Sequence, residues 1–514
     1  MNKTSILCSV SLLSSVMVSC AEKPKTLQRP NIVFILGDDV GYGDLSCYGA
    51  TKVKTPNVER LAASGLRFLN AHAVASTSTP SRYSLLTGQY AFRRNDTGIA
   101  AGNAPSIIKP EQKTLPAMLQ AAGYTTGVVG KWHLGLGVDT NQPWNEYIAP
   151  GPKELGFDYS YIMAATGDRV PCVYLENQRI VSLDPSDPVE VSYEKPFPGE
   201  PLGRDHPELL TKLHPSHGHD MAIVNGISRI GYMKGGRQAL WTDEYIADSL
   251  TTKAVAFIEH NKDKPFFLYF GTNDIHVPRW PNPQFVGKSG MGPRGDAILQ
   301  FDWTVGQVLD ALERNGLLDN TIIILTSDNG PVVDDGYKDQ AVELLDGHKP
   351  WGPYRGGKYS AFEAGTRVPF LVSWPKGGVA KGKDSYALVS HIDFFATLAT
   401  LTGQTLPDDA AQDSFDQLKT WLGKDGKGRE YAMEQAFTTL SAIKGDWKYI
   451  APSNRNAPLI VETNTETGFI MQPQLYYLKD DIGEHNNIAA DHPDKVKELG
   501  AIIDQVKSTP KTRK

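Results

Sequence analysis

The sequence predicts an α/β protein with one large domain and a smaller appended one, and three observations carry that expectation. The chain has 514 residues, well beyond a single minimal core. Unbroken apolar runs, Asn31 to Leu36, Phe266 to Phe270 and Thr321 to Thr326, read as buried strands alternating with helical stretches. Past the Gly/Lys-rich stretch Gly423 to Gly428, the pattern changes to short alternating runs closed by a helix. The expected division is residues 30–425 for the large α/β domain and 426–514 for a small α+β subdomain. Hydrophobic residues are 40% and charged residues 21%, ordinary for a soluble globular chain. The net charge of −6 supplies no overall basic field, so nothing points to nucleic acid.

The N-terminus reads as an export segment. Lys3 gives a positive start, and Ile6 to Val18 is mostly apolar and small, too short for a comfortable membrane span. Met17-Val18-Ser19-Cys20 resembles a bacterial lipobox, with residues 1–19 as signal peptide, Cys20 as the lipidated mature terminus and residues 20–29 as a polar tether. The expected location is the periplasm or the outer membrane, with the membrane touched only through the lipid. Of four cysteines only Cys47 and Cys172 lie in the body, so this is no disulfide scaffold, and their pairing stays open.

The first buried run ends in Asp38-Asp39. Adjacent aspartates repel unless a cation sits between them, and open α/β sheets place ligands past strand ends, so the pair suggests a hard metal ion; taken alone it could be a solvated turn. Thr55-Pro56-Asn57 opens a helix stopped by Gly65, and Leu66 to Val74 reads as the next strand, delivering Ser78. In Ser78-Thr79-Pro80-Ser81-Arg82, Pro80 suits a helix start, Ser78 sits where free N–H groups favour negative charge, and Arg82 lies one turn in. A helix over Thr114 to Ala122 precedes a strand over Thr125 to Val129, whose end carries Gly130-Lys131-Trp132-His133-Leu134-Gly135. Lys131 and His133, two apart on an extended segment, point the same way and could bind an oxyanion and move a proton.

Residues 150–245 are the least regular part, with a loop from Gly151 to Tyr159 and a strand near Cys172 to Leu175. His214, His217 and His219 lack a zinc spacing, and a loop touching substrate is the better reading. After the helix Asp243 to Asn261 and the strand Phe266 to Phe270 comes His276. After the helix Ala297 to Asn315 and the strand Thr321 to Thr326 comes Asp328-Asn329, which mirrors Asp38-Asp39 and completes an oxygen set typical of calcium. Glu363 and Arg367, spaced i, i+4, read as a stabilising pair. Val389 to Gly403 is a helix; Tyr431 to Phe437, Leu440 to Ile443, Trp447 to Ala451 and Gln474 to Leu478 are short antiparallel strands; Asp491 to Val506 is a closing helix.

Ser78-Thr-Pro-Ser-Arg82 followed by Leu85-Leu-Thr-Gly88, the Gly130 to Gly135 string, His276 before Pro278, and Asp328-Asn329 with Lys358 together resemble type I sulfatases over roughly residues 30 to 490. The resemblance implies an alkaline phosphatase-like fold: a large, mostly parallel mixed sheet between helices, with a small C-terminal sheet. It implies that Ser78 is oxidised to formylglycine by a serine-oxidising maturase. It makes Asp38, Asp39, Asp328, Asn329 and residue 78 the calcium ligands, and Arg82, Lys131 and Lys358 the groups that neutralise the sulfate. His133 assists removal of the hydrate proton, and His276 is favoured over Lys358 as the acid for the leaving oxygen. Export of such an enzyme points to sulfated glycans, with exo action on sulfated galactose or N-acetylgalactosamine, as in mucin O-glycans. Asp168, Arg169, His214, His219, Asp334, Asp335, His348 and Arg355 are the candidate sugar contacts, because carboxylates, Arg and His hydrogen-bond hydroxyls. Three rivals remain: a phosphodiesterase or phosphonate hydrolase of the same superfamily, a non-catalytic glycan-binding lipoprotein, and a structural surface protein.

Overall fold

The structure, a computed structural model, describes residue 1 and residues 29–513. The expected signal peptide, its lipid-bearing Cys20 and nearly all of the tether therefore lie outside the described residues. Among the described residues no helix is long and apolar enough to cross a membrane.

The core is a ten-stranded sheet. Its strands in chain order are β1 (Asn31–Gly37), β2 (Leu66–Phe68), β3 (Thr125–Lys131), β4 (Tyr159–Met163), β5 (Tyr174–Glu176), β6 (Arg179–Ile180), β7 (Phe266–Gly271), β8 (Thr321–Ser327), β9 (Phe370–Ser373) and β10 (Lys383–Ser385). The spatial order is β10-β2-β9-β8-β1-β7-β3-β4-β5-β6. From β8 to β4 every pairing is parallel, while β9, β5 and β6 run antiparallel to their neighbours.

Parallel strands covered on both faces need apolar residues at every position, and all seven positions of β1 and of β8 are buried. Side chains alternate between faces: Phe34 meets Phe394 of the helix Phe394–Leu401, whereas position 37 faces Phe301 of the helix Gly292–Arg314. The helices thus form two layers. The Pro56–Ser64 and Ile246–His260 helices pack with the long Gly292–Arg314 helix, and the Ser78–Thr87 and Leu115–Ala121 helices pack with Phe394–Leu401.

The C-terminal sheet is antiparallel in the order Ala432–Ala436, Thr439–Lys444, Trp447–Ile450, Gln474–Tyr477. The amphipathic helix Pro493–Ser508 buries Leu499, Ile503 and Val506 against Met433, Ala442 and Leu475. A buried charge cluster joins this sheet to the large domain. Lys448 Nζ lies 2.9 Å from Glu363, 3.1 Å from Glu434 and 3.8 Å from Glu484. His72 contacts Glu434 at 2.6 Å, and Arg367 closes the expected pair with Glu363 at 2.6 Å.

Some expected elements differ. The single strand over 66–74 is two pieces: β2, and Ala71–His72 paired with Val389–Ser390. The start of the expected 389–403 helix is therefore extended, and the helix begins only at Phe394. β4 begins at the last residue of the expected loop and lies in the stretch read as least regular, because its mixed Tyr-Ser-Tyr-Ile-Met sequence carries no plain strand period. Cys47 and Cys172 are free thiols, and burial pushes both up to about 12.

Lys448 is the one cation shared by three buried glutamates. Lys448→Met is expected to lower the unfolding free energy by about 3–5 kcal/mol, the cost of leaving buried charge uncompensated, measured by denaturant titration.

Candidate active site

The parallel strands end at one edge, and their C-terminal ends carry the chemistry. Asp38 and Asp39 follow β1, Lys131 ends β3 with His133 just beyond, His276 lies past β7, and Asp328 and Asn329 follow β8. Gly130 has φ +101°, and a Cβ there would sit 1.8 Å from the Gly271 carbonyl oxygen. Only glycine lets β3 and β7 stay this close where Lys131 turns in.

Ser78 is the first residue of the buried helix Ser78–Thr87. Its hydroxyl donates to Asn329 Oδ1 at 3.2 Å and accepts from Lys131 Nζ at 2.8 Å. Lys131 Nζ also reaches Asp38 Oδ1 at 2.6 Å and Asp328 at 3.5 Å. Arg82, on the next turn of the helix, donates from Nε and Nη2 to Asp328 Oδ2 at 3.0 and 2.8 Å. Lys358 Nζ donates to Asp39 Oδ2 at 2.9 Å, Asp335 Oδ2 at 2.8 Å and His276 Nε2 at 3.2 Å. Asn329 Nδ2 donates to Asp39 Oδ1 at 2.7 Å.

The two histidines are fixed by their carbonyl partners. His133 Nε2 lies 3.0 Å from the Ala100 carbonyl and must donate there, which leaves the buried Nδ1 a bare acceptor with no partner. Burial and the Lys131 charge push its pKa well below the usual imidazole value. His276 Nδ1 lies 2.6 Å from the Val277 carbonyl and donates there, so its Nε2 accepts from Lys358. Burial and the Lys358 charge bring His276 down to about 4.

These groups enclose a cavity of about 60 Å³ lined by Thr77, Ser78, His133, Asp168, Arg169, His219, His276, Asp335, Lys358 and Tyr359, with Ile99 and Ile230. A water needs roughly 10–15 Å³ measured this way, so the space suits a group of a few heavy atoms, the size of a sulfate. On the far wall His219 Nε2 lies 2.9 Å from Asp168 Oδ2, and Arg169 Nη1 lies 3.0 Å from Asp168 Oδ1. Burial opposes charge on both partners; Arg169 and His219 nevertheless hold Asp168 well below the carboxylate range, and Asp168 holds His219 raised.

Residues 30–404 match the sulfatase family. The chain belongs to that family. It is a type I sulfatase of the alkaline phosphatase superfamily, and therefore a sulfuric ester hydrolase. It is 55% identical over 483 residues, covering 94% of each chain, to a Bacteroides thetaiotaomicron protein named N-acetylgalactosamine-6-O-sulfatase. It is 32% identical over 447 residues to the rat N-acetylgalactosamine-6-sulfatase, covering 85% of this chain and 74% of that one. A solved Bacteroides thetaiotaomicron structure, described under the metabolism of multiple glycosaminoglycans, superposes with a TM-score of 0.92 at 54% identity, covering 94% of this chain and all of that one. The phosphonate monoester hydrolase of Agrobacterium radiobacter shares the fold, with a TM-score of 0.55 at 17% identity over 93% of this chain and 96% of that one.

Sulfatases generally bind a divalent metal, and the residues present fit one. Asp38, Asp39 and His276 offer donor atoms within 4.8 Å of one another, and among the described residues Asp38 Oδ2 is buried with no partner. Burial and the neighbouring Asp328 and Asp39 outweigh Lys131 and raise Asp38 well above the carboxylate range, a conflict that a cation relieves. His72, Glu363 and Glu434 also cluster, but the Lys448 ammonium already serves as their cation.

The expected substrate contacts divide. Asp168, Arg169, His219 and Asp335 line the cavity; His214, Asp334, His348 and Arg355 do not. His348 Nε2 is 2.8 Å from Asp44, which Arg294 also grips, so it braces the loop behind the metal pair. Arg355 binds Glu466 and the Glu484 carbonyl in the C-terminal subdomain. Asp334 accepts from Ser216, and the His214 carbonyl accepts from the Lys338 N–H. Arg82 lies behind the cavity wall, fully buried against Asp328, and reaches any substrate charge only through the field. Thr77 and Tyr359 were missed, though each adjoins a residue singled out; Ile99 and Ile230 carry no sequence signal.

If Asp38 and its neighbours hold the metal, calcium titrated into the purified protein should raise Tm, and Asp38→Ala should abolish the shift. An undiminished shift in Asp38→Ala would place the ion elsewhere.

Proposed function

We propose that the protein removes sulfate esters from glycans through residue 78 oxidised to formylglycine, with calcium as its metal, and that its substrate is a 6-O-sulfated N-acetylgalactosamine or galactose unit. The observation that carries this is the placement of Ser78: at a helix N-terminus, hydrogen-bonded to Lys131 and Asn329, facing a sulfate-sized cavity. The relative at 55% identity, named for N-acetylgalactosamine-6-O-sulfate, supports the choice of sugar.

Asp38, Asp39, Asp328, Asn329 and the residue-78 oxygen would hold the calcium, which supplies Lewis acidity and favours an ionised hydroxyl. Hydrated formylglycine carries two hydroxyls on one carbon. One attacks sulfur, forming an O–S bond as the ester S–O bond breaks, and the sugar alcohol leaves after taking a proton. The Lys358 ammonium is the proton source, because it points at His276 Nε2, which has no proton of its own in this hydrogen-bond arrangement. His133 lines the cavity and its Nδ1 is bare, so it then takes the proton of the second hydroxyl. The freed O–H pair forms the aldehyde C=O as the bond from that carbon to the sulfated oxygen breaks and sulfate leaves; water then restores the hydrate, whose ionisation returns a proton to Lys358. Serine has no second hydroxyl, so it could not complete this cycle. Lys131 and Lys358 stabilise charge on the transferring group, each such donor being worth roughly 10²–10³ in rate.

Export as a lipoprotein, action on mucin-type glycans and reliance on a maturase complete the proposal. The test is sulfate release from regiochemically defined sulfated monosaccharides. The 6-O-sulfates of N-acetylgalactosamine and galactose should be cleaved and the 3-O- and 4-O-sulfates spared, with Ser78→Ala inactive on all. Turnover of phosphodiesters or phosphonates without any sulfate release would favour the superfamily alternative.

A further inference from the structure

Tyr359, which lines the cavity, and Phe437, which stacks on it, pay an unusual conformational cost. Tyr359 has φ +78° and Phe437 has φ +50°. Phe437 sits in the hairpin turn between Ala432–Ala436 and Thr439–Lys444, where Asn, Asp or Gly would adopt that φ with less strain. Strained non-glycine positions persist where the side chain is needed. Phe437 packs on one side against the small cluster around Phe469, yet both rings stay partly exposed, and they stack on each other with centroids 6.0 Å apart and planes at 14°.

The pair is locked to the catalytic loop. The Ser76 N–H donates to the Gln435 carbonyl at 2.9 Å, the Gln435 N–H to the Val74 carbonyl at 2.9 Å, and the Tyr359 N–H to the Ser76 carbonyl at 2.9 Å. The Tyr359 hydroxyl donates to Asp335 Oδ1 at 2.9 Å, and Tyr359 lines the cavity. The turn is therefore held two residues from Ser78, although it belongs to the C-terminal sheet.

On Phe437 lies Arg455, its Cζ 4.3 Å from the ring centroid and 5.5 Å from that of Phe469. Arg455 is exposed, and among the described residues its guanidinium meets no carboxylate; only its backbone N–H is engaged, by Ser453 Oγ. A guanidinium held over aromatic rings, with no side-chain partner among the described residues, is prepared to take a planar or tetrahedral anion. Aromatic faces beside it suit the C–H face of a sugar.

We propose that Tyr359, Phe437 and Arg455 form a subsite for the sugar adjoining the one that carries the scissile sulfate, and that this neighbour bears an anionic group, a carboxylate or a second sulfate ester. The inference rests on the glycan-sulfatase reading above. It makes the C-terminal hairpin a determinant of which chain context is read, separate from the groups that cut.

The test uses the full chain with residue 78 confirmed oxidised. Four substrates carry the same 6-O-sulfated sugar: the monosaccharide, and disaccharides whose neighbouring sugar is neutral, a uronic acid, or sulfated. The wild-type protein should favour an anionic disaccharide over the neutral one by about 3- to 5-fold in kcat/KM, the size of an exposed charge contact, and the difference should lie in KM. Arg455→Gln should erase that ratio, a readout that general loss of structure would not move. Phe437→Asn, compatible with the turn, should reduce it. Preference for the uronic acid alone, or for the sulfated sugar alone, supports the subsite and names its anion. Equal kcat/KM for the three disaccharides, or an unchanged ratio in Arg455→Gln, overturns it while leaving the sulfatase reading intact. No sulfate release from any of the four overturns both.

Discussion

The structure depends on a cluster of opposite charges buried where the parallel strands end. Asp38 with Lys131, Asp328 with Arg82, and Asp39 with Lys358 form three pairs at 2.6, 2.8 and 2.9 Å, nearly all out of water. Burying any one of these alone would cost several kcal/mol, so each depends on the others being in place. The strand register provides this: β8, β1, β7 and β3 are neighbours in the sheet, and their ends deliver the acids, a base and a lysine to one edge. Dry, prearranged charges of this kind are what a developing negative charge needs, since they act without reorganisation.

Around that cluster the hydrogen bonds of the histidines fix their tautomers. Each gives one ring nitrogen to a backbone carbonyl, so the other is an acceptor: His133 Nδ1 is left without a partner among the described residues, and His276 Nε2 accepts from Lys358. Lys358 stands between Asp39 and Asp335, linking the Asp38-Asp39 pair to the cavity wall. The C-terminal subdomain is no mere cap. It holds the large domain through the Lys448 cluster and stacks Phe437 on Tyr359, a residue of the cavity wall.

The central strands and their terminal residues were legible because a strand buried on both faces must be apolar throughout, which makes its polar ending conspicuous. β4 was not, since its residues mix tyrosine and serine. Among the substrate candidates, residue type alone could not separate wall from scaffold. Asp168 and His219 meet in the cavity although 51 positions apart, whereas His348 is drawn to Asp44, 304 positions away, and Arg355 to Glu466. An Arg or His in a loop takes whichever carboxylate the fold presents, and that is decided by topology rather than by local sequence. The aromatic pair of Tyr359 and Phe437 escaped for the same reason: Phe437 looked like the end of a strand, and its backbone conformation shows only in three dimensions.

The claim on which the account turns is that Ser78 is a precursor. Mass spectrometry of the peptide containing residue 78, on enzyme that releases sulfate from a sugar sulfate, tests it most directly. The account predicts a peptide two hydrogens lighter than the serine form, carrying an aldehyde that reacts with a hydrazide, and activity in proportion to the modified fraction. Full activity from protein whose residue 78 is entirely serine would contradict it.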